Sequence, residues 1–155
     1  EVRFVIIGSG SYKQRLEEQI KNENLDYIKT YPLQPASRLS EIYSIGDLEM
    51  VSIEPGLSKM ALPSKTFVIM AAGTALLSMV DQSSDIAQLI KNRDIGYTLE
   101  LKDPKELADT IIKAYDEKDT LSDKGKKARI VCEEIADRKK QTFKYYKLLS
   151  SIATY

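Results

Sequence analysis

Short apolar segments alternate with amphipathic segments through most of this chain, and that alternation constrains the fold more than any other feature. Residues 2–7 form an almost continuous apolar run, which is typical of a strand buried on both faces of a parallel sheet. Further strands are predicted at residues 27–31, 48–53, 75–80 and 96–99. Strands that alternate with helices predict an α/β fold, a doubly wound parallel sheet covered by helices on both faces. We expect all five strands in one sheet.

The helices between these strands have recognisable boundaries. They are predicted at residues 11–22, at 37–44, from Pro63 to Gly73, from a cap at Ser83 or Ser84, and from Asp103 to Tyr115. Beyond residue 120 only helices are predicted, around residues 128–136 and 142–152. The tail is therefore expected to be helical.

Composition excludes several function classes. The chain has 155 residues with 23 Lys and Arg against 23 Asp and Glu, which argues against binding nucleic acid through excess positive charge. It has no histidine, so neither His-based catalysis nor an imidazole metal site is expected. Cys132 is the single cysteine, and its apolar neighbours predict a buried, inert thiol. We expect no metal, no cofactor and no membrane-spanning segment.

Two loops that follow strands are candidate anion-binding sites. Gly8-Ser9-Gly10 follows the first strand, but Lys13 stands where a dinucleotide fingerprint needs a third glycine, and Tyr31-Pro32 offers no acidic residue for a ribose. The loop is therefore either an anion site or only a tight turn. Lys65 lies in the first turn of the helix that begins near Pro63. A cation there suits an anion such as a diphosphate, the alternative being a solvated lysine. On this argument Lys65→Gln should leave folding unchanged or slightly improved.

An ordered set of motifs resembles the C-terminal domain of GT-B glycosyltransferases, above all the large retaining family 4 that builds bacterial polysaccharides and glycolipids. The motifs are Phe4-Val5-Ile6-Ile7-Gly8-Ser9-Gly10, Tyr43-Ser44-Ile45-Gly46-Asp47, Leu62-Pro63-Ser64-Lys65, Met70-Ala71-Ala72-Gly73, Asp81-Gln82-Ser83-Ser84-Asp85 and Ile95-Gly96-Tyr97. The resemblance implies a Rossmann-like domain that binds a nucleotide-sugar donor, a UDP- or GDP-sugar. It also implies that a separate N-terminal domain binds the acceptor.

The resemblance assigns the donor-binding residues one by one. They are Gly8, Ser9, Gly10, Tyr31, Pro32, Leu62, Pro63, Ser64, Lys65 and Asp85, with no catalytic residue in this chain. The family's two glutamates fall on Met60 and Val68, which puts the mode of ribose recognition in question. The family's phosphate-binding Arg and Lys belong to a strand–helix unit expected to precede Glu1. The chain opens within a strand and without Met, so we expect a fragment of a longer protein.

The resulting hypothesis is the donor-binding part of a hexosyltransferase for polysaccharide or glycolipid synthesis. Residues 1–120 would form the nucleotide-sugar-binding domain, apparently without its first strand–helix unit, and residues 121–155 its C-terminal helices. The expected location is the cytoplasm, at the inner face of the membrane. Alternatives are a GT-B UDP-sugar epimerase and a domain that binds nucleotide-sugar or mediates assembly without catalysis.

The tail leaves two further alternatives open. Residues 101–155 hold 13 Lys and Arg against 10 Asp and Glu. Five of these cations cluster near aromatic residues: Arg138, Lys139, Lys140, Lys144 and Lys147. This cluster could make a peripheral contact with an anionic membrane, where a lipid-linked acceptor would be found. It could instead belong to a helix that packs back on the N-terminal domain.

Overall fold

The computed structural model describes residues 1–54, 56–57, 62–100 and 103–153. Five strands are formed, β1 (Phe4–Ile7), β2 (Ile28–Tyr31), β3 (Leu48–Ser52), β4 (Ala75–Met79) and β5 (Gly96–Leu99). The α-helices are α1 (Lys13–Asn22), α2 (Leu39–Ile42), α3 (Ser64–Ala72), α4 (Asp85–Arg93), α5 (Pro104–Asp116), α6 (Lys118–Ile135) and α7 (Arg138–Ile152), with a 3-10 turn at Ala36–Arg38. Strand and helix alternate as far as α5, as the sequence predicts.

The first compact unit, Glu1–Gly46, contains a two-stranded parallel sheet. β1 and β2 pair in register from Phe4 opposite Ile28 to Ile7 opposite Tyr31. α1 connects the two strands and buries none of its residues completely. Unit 1 therefore has a sheet and a crossover helix but no fully enclosed core.

The second unit, Asp47–Tyr155, contains a three-stranded parallel sheet in the order β3-β4-β5. β4 lies at its centre, and Ala75, Leu76 and Leu77 are completely buried. One core cluster joins β4 and β5 to Ala114 of α5 and Leu121 of α6. Helices α5 and α6 therefore contribute side chains directly to the core of unit 2.

Local chemistry explains where the helices of unit 2 begin and end. The Ser84 hydroxyl accepts a hydrogen bond from Ala87 N at 3.3 Å and caps α4, and the Asp103 carboxylate accepts one from Lys105 N at 2.9 Å and caps α5. α3 ends at Gly73, whose φ of 78° is the left-handed conformation that favours glycine. The predicted caps Ser84 and Asp103 are thereby confirmed.

Several predictions need correction. The five strands are parallel to their neighbours but form two separate sheets, not one. The helix predicted at residues 37–44 is a 3-10 turn followed by the single turn α2. The first tail helix begins at Lys118, ten residues before the predicted segment.

Cys132 is also less buried than the apolar residues next to it in the sequence predicted. Cys132 is only partly buried, and its sequence neighbours Ile130 and Ile135 are exposed. Burial still raises the pKa of the Cys132 thiol, so the prediction of an unreactive cysteine keeps its physical basis. Among the described helices, none combines the length and the apolar character needed to cross a bilayer.

Candidate functional site: strand ends and helix starts

In unit 1, the Gly8-Ser9-Gly10 loop leaves the carboxyl end of β1 and leads to α1. Gly8 N donates to Tyr31 O at 3.1 Å, so the loop and Tyr31 lie at the same edge of the sheet. An open cleft of about 620 Å³ lies there, lined by residues of the loop, of α1 and of both strands, among them Ser9, Arg15 and Thr30. The predicted residues Gly8, Ser9, Gly10 and Tyr31 are therefore together in this unit, and Pro32 follows directly as an exposed residue.

Lys13 explains why the loop departs from the dinucleotide fingerprint. Its ammonium Nζ donates to Gly8 O at 3.1 Å and to Tyr31 O at 3.0 Å, and so joins the carboxyl ends of β1 and β2. A third glycine in the fingerprint would allow close helix–strand packing. Here Lys13 occupies the position of that third glycine, and its ammonium group adds a positive charge to the lining of the cleft.

In unit 2, Lys65 lies in the first turn of α3, behind Pro63 at the N-cap. Its Nζ donates to Met50 O at 3.0 Å and lies 4.0 Å from Glu49 Oε2. Ile53 N donates to Met79 O, so the backbone groups of alternate residues 49, 51 and 53 face β4. Met50 O therefore points away from β4, and Lys65 contacts the side of β3 that pairs with no other described strand.

These contacts correct the expectation for Lys65→Gln. The sequence argument treated Lys65 as a cation with nothing to stabilise it, but the carbonyl of Met50 and the carboxylate of Glu49 both do. The Lys65 side chain is nearly half exposed, so the loss on substitution should be small, about 0.2–1 kcal/mol. Burial raises the pKa of Glu49, and the nearby Lys65 charge partly opposes that shift.

The loop that follows β4 lies beside the loop that follows β3. Gly56 N donates to Asp81 Oδ2 at 3.2 Å, which confirms that these two loops share an edge of the sheet. Ser84 Oγ donates to Asp81 O at 2.6 Å and fixes the turn into α4. Asp85, the predicted donor contact, is exposed at the first position of α4.

The remaining predicted donor-binding residues lie at the start of α3. Leu62 and Ser64 are exposed and Pro63 is partly buried, so the start of α3 is accessible. Val68, where the resemblance places the second glutamate, is 39% exposed and presents only hydrocarbon. Met60 lies outside the described residues. Val68 therefore supplies no carboxylate to this part of α3.

Sequence reasoning missed two functional candidates beside the predicted ones. Glu49 lies within a predicted strand and was interpreted only as part of that strand. Asp81 was interpreted only as part of a loop that caps a helix. The signal available for Glu49 was a charged residue inside an otherwise apolar strand, which is unusual unless it has a partner. Among the described residues, no group of acidic or cysteine side chains could hold a metal ion.

Comparisons with known proteins agree with this architecture. The family model described as "Glycosyl transferases group 1" matches residues 1–131. "Putative colanic acid biosynthesis glycosyl transferase WcaI" of Escherichia coli (strain K12) is 30% identical over 86 residues, which are 56% of this chain and 21% of that protein. "Probable glycosyltransferase WbjE" of Pseudomonas aeruginosa is 23% identical over 105 residues, or 68% of this chain and 26% of that protein. The chain thus spans about a fifth to a quarter of these relatives.

Solved structures share the fold at low sequence identity. Anabaena Alr3699/HepE in complex with UDP has a TM-score of 0.75 and 15% identity, over 97% of this chain and 41% of that one. Sucrose-phosphate synthase from Thermosynechococcus elongatus has a TM-score of 0.73 and 16% identity, over 96% of this chain and 38% of that one. The predicted α/β fold class is confirmed. On the match to residues 1–131, the chain belongs to the glycosyl transferases group 1 family.

Proposed function

We propose that this chain binds the nucleotide-sugar donor of a glycosyltransferase that acts in polysaccharide or glycolipid synthesis. The observation that carries the proposal is the first turn of α3, where Lys65 adds a cation to a helix N-terminus beyond a parallel strand. The positive end of the helix dipole favours an anion, and membership of the family supports a sugar-linked diphosphate as that anion. UDP and UDP-glucose are bound by the Anabaena protein, which favours a UDP-sugar over a GDP-sugar.

In this proposal the start of α3 stabilises the leaving group. When the bond between sugar and diphosphate breaks, negative charge develops on the nucleotide, and the Lys65 ammonium neutralises it. Glu49 and Met50 O hold the ammonium beside β3 in the absence of ligand, so an arriving diphosphate competes with them for the same cation. Leu62, Pro63 and Ser64 would contact the donor; Leu62 and Ser64 are exposed and Pro63 is partly exposed.

Unit 1 contributes a second anion-binding loop and the contact with the base. The amides of Ser9 and Gly10 would meet phosphate oxygens, with the Lys13 charge beside them. Gly8, whose own amide donates to Tyr31 O, would let the chain turn towards the phosphate. Tyr31 and Pro32 would contact the base, mainly through backbone atoms. Asp85 is assigned to the sugar, because an exposed carboxylate at the start of α4 can accept hydrogen bonds from hydroxyl groups.

The proposed acceptor site lies outside this chain. The 155 residues contain no histidine, so a histidine general base would have to come from elsewhere in the protein. A separate domain would bind the saccharide or lipid-linked acceptor, at the cytoplasmic face of the membrane. The chain by itself is expected to transfer no sugar, because in this proposal a separate domain positions the acceptor for attack.

Nucleotide titration of the whole protein tests the role of Lys65. Lys65→Gln should weaken UDP binding at least tenfold, because a charge-assisted hydrogen bond contributes about 1.5–3 kcal/mol. Lys105→Gln is the matched control, since Lys105 also lies in the first turn of a helix behind a proline. It should leave the affinity unchanged. Unchanged affinity in Lys65→Gln together with lower stability would assign Lys65 to a structural ion pair with Glu49.

A non-catalytic nucleotide-sugar-binding domain is the second candidate, and Val68 favours it. An apolar side chain there cannot accept a hydrogen bond from a ribose or sugar hydroxyl. The two candidates differ in one measurement on the whole protein. A transferase hydrolyses or transfers its UDP-sugar in the presence of acceptor extract, whereas a binding domain shows nucleotide affinity without release of UDP.

A further inference from the structure

The Tyr31 carbonyl of unit 1 already accepts as many hydrogen bonds as its oxygen can. A carbonyl oxygen has two lone pairs. Gly8 N donates to Tyr31 O at 3.1 Å, and the Lys13 ammonium donates to the same atom at 3.0 Å. A nucleobase placed beside Tyr31 therefore meets a carbonyl that can accept no further proton.

The backbone of Tyr31 and Pro32 also lacks a donor for a nucleobase. The Tyr31 N–H faces β1, as the Tyr31 carbonyl does, and proline has no N–H. Pro32 O accepts a hydrogen bond from Gln34 Nε2 at 2.9 Å, and Gln34 Oε1 accepts one from Arg38 Nη1 at 3.2 Å. The Gln34 amide is thus held at both of its ends. These two residues can contact a base, but a donor that recognises the base has to be a side chain.

Lys13 supplies a donor at this position. An ammonium group carries three protons, and two of them are given to Gly8 O at 3.1 Å and to Tyr31 O. Within the part of the chain that the structure describes, no acceptor forms a hydrogen bond with the third proton. The two carbonyls fix the nitrogen between the ends of β1 and β2, so the third proton is offered from a defined place.

Glu17 balances the charge of Lys13 without accepting its third proton. Glu17 Oε1 lies 3.8 Å from Lys13 Nζ, which is too long for a hydrogen bond, and accepts one from Thr30 Oγ1 at 2.9 Å. The Lys13 charge is therefore partly compensated within unit 1. This compensation favours a neutral carbonyl oxygen over a phosphate as the partner of the third proton.

Nucleobases differ in the group that such a donor would meet. Uracil and guanine present a carbonyl oxygen where cytosine and adenine present an amino group. An ammonium group has donors only, so it can bond to that oxygen but would face the amino protons donor against donor. Because Tyr31 O is fully used, an amino group finds no acceptor on that carbonyl either.

We propose that Lys13 selects a donor whose nucleobase carries a keto group, such as uracil or guanine, against cytosine and adenine. The proposal deepens the proposed function, on which it rests for the contact of Tyr31 and Pro32 with the base. Lys13 is then a specificity-determining residue, and Lys65 contacts the diphosphate that all these donors share. Base preference and diphosphate binding should therefore be separable by mutation.

Nucleotide titration of the whole protein tests this assignment. The probes are two pairs, UDP with CDP and GDP with ADP, whose members differ mainly in a keto or an amino group. In the pair that the protein binds, we expect at least tenfold tighter binding of the keto member. Lys13→Met removes the ammonium and keeps the length of the side chain, so the preference should fall below threefold. Lys13→Arg retains a donor and should retain a preference above threefold.

Lys21→Met is the matched control, because it makes the same change at an exposed lysine in the last turn of α1. It should keep the tenfold preference. The ratio of two affinities in one preparation does not depend on the folded fraction, so a less stable Lys13→Met protein cannot imitate the expected result. An unchanged preference in Lys13→Met would overturn the proposal, as would equal affinity of the unmodified protein for UDP and CDP.

Lys65→Gln separates failure of this proposal from failure of the proposed function. It should weaken UDP and CDP binding by the same factor and leave their ratio unchanged. UDP affinity that depends on Lys65 but shows no base preference would retain the donor site and reject the role of Lys13. Absence of affinity for all four nucleotides would reject the donor site and the role of Lys13 with it.

Discussion

Two buried serines of unit 2 differ in whether their hydroxyl groups have a partner. The Ser78 hydroxyl in β4 has none among the described residues, whereas Ser84 Oγ accepts from Ala87 N and donates to Asp81 O. Ser78→Ala should leave the free energy of unfolding unchanged or raise it by up to about 1 kcal/mol, because a desolvated hydroxyl is removed. Ser84→Ala should lower it by about 0.5–2 kcal/mol through loss of the cap. Urea unfolding of both variants checks the contrast, and an equal loss in both would contradict it.

Glu49 should give the stability of unit 2 a distinctive dependence on pH. Burial raises the pKa of Glu49 above the ordinary value of 4.5, so the folded state binds this proton more tightly than the unfolded state. The stabilisation is therefore complete below that value and is lost as the pH rises through the folded-state pKa. Glu49→Gln removes this loss, so the variant should gain stability relative to the unmodified protein between about pH 4 and about pH 7. Unfolding curves of the two proteins that run parallel across this range would reject the prediction.

Residue-level contacts were the least predictable part of the candidate site. The sequence identified Gly8-Ser9-Gly10 and Lys65, because glycines after a strand and a cation at a helix start are local patterns. It could not assign Lys13 to Tyr31 O, which lies 18 residues away, or Lys65 to Met50 O. Such pairs depend on which strand ends meet, and that information is not local. The roles of the predicted donor residues remain predictions.

At the scale of elements, α6 shows why one helix boundary was missed. Gly125 lies near its middle, and glycine lowers helix propensity by about 1 kcal/mol relative to alanine. The structure gives the glycine a purpose, because a Cβ there would lie 2.0 Å from Gly73 O at the end of α3. α6 can pack on the α3–β4 turn only with glycine at this position. Close packing therefore overrides propensity.

This contact predicts a reversed effect of alanine in α6. Ala replacing a helical glycine ordinarily stabilises, but Gly125→Ala should lower the free energy of unfolding by about 1–3 kcal/mol because the Cβ overlaps Gly73 O. Ser122→Ala, on the exposed side of the same helix, is the control and should be neutral or slightly stabilising. Thermal unfolding checks both variants, and stabilisation by Gly125→Ala would show that α6 does not approach Gly73 this closely.

At the scale of the whole molecule, the alternation of strand and helix was predictable and the grouping of strands was not. Each strand was identified within two residues of its observed ends, because apolar runs and turn residues are local signals. The strands group into one sheet of two and one of three, although all five have the same local signals. Which strands pair depends on contacts between segments that are distant in the sequence, and no local pattern records them.

The two units should also differ in their resistance to local opening. No side chain of Glu1–Gly46 is fully buried, whereas every described core residue lies in Asp47–Tyr155, and a two-stranded sheet is marginally stable in water. Amide hydrogen exchange can compare matched donors, Phe4 N and Gly8 N in unit 1 with Leu76 N and Val80 N in unit 2, all bonded at 2.8–3.1 Å. The unit 2 amides should be protected at least tenfold more, which corresponds to about 1.4 kcal/mol in opening free energy. Equal protection at all four would mean that both units open in one cooperative step, and the weakness assigned to unit 1 would be wrong.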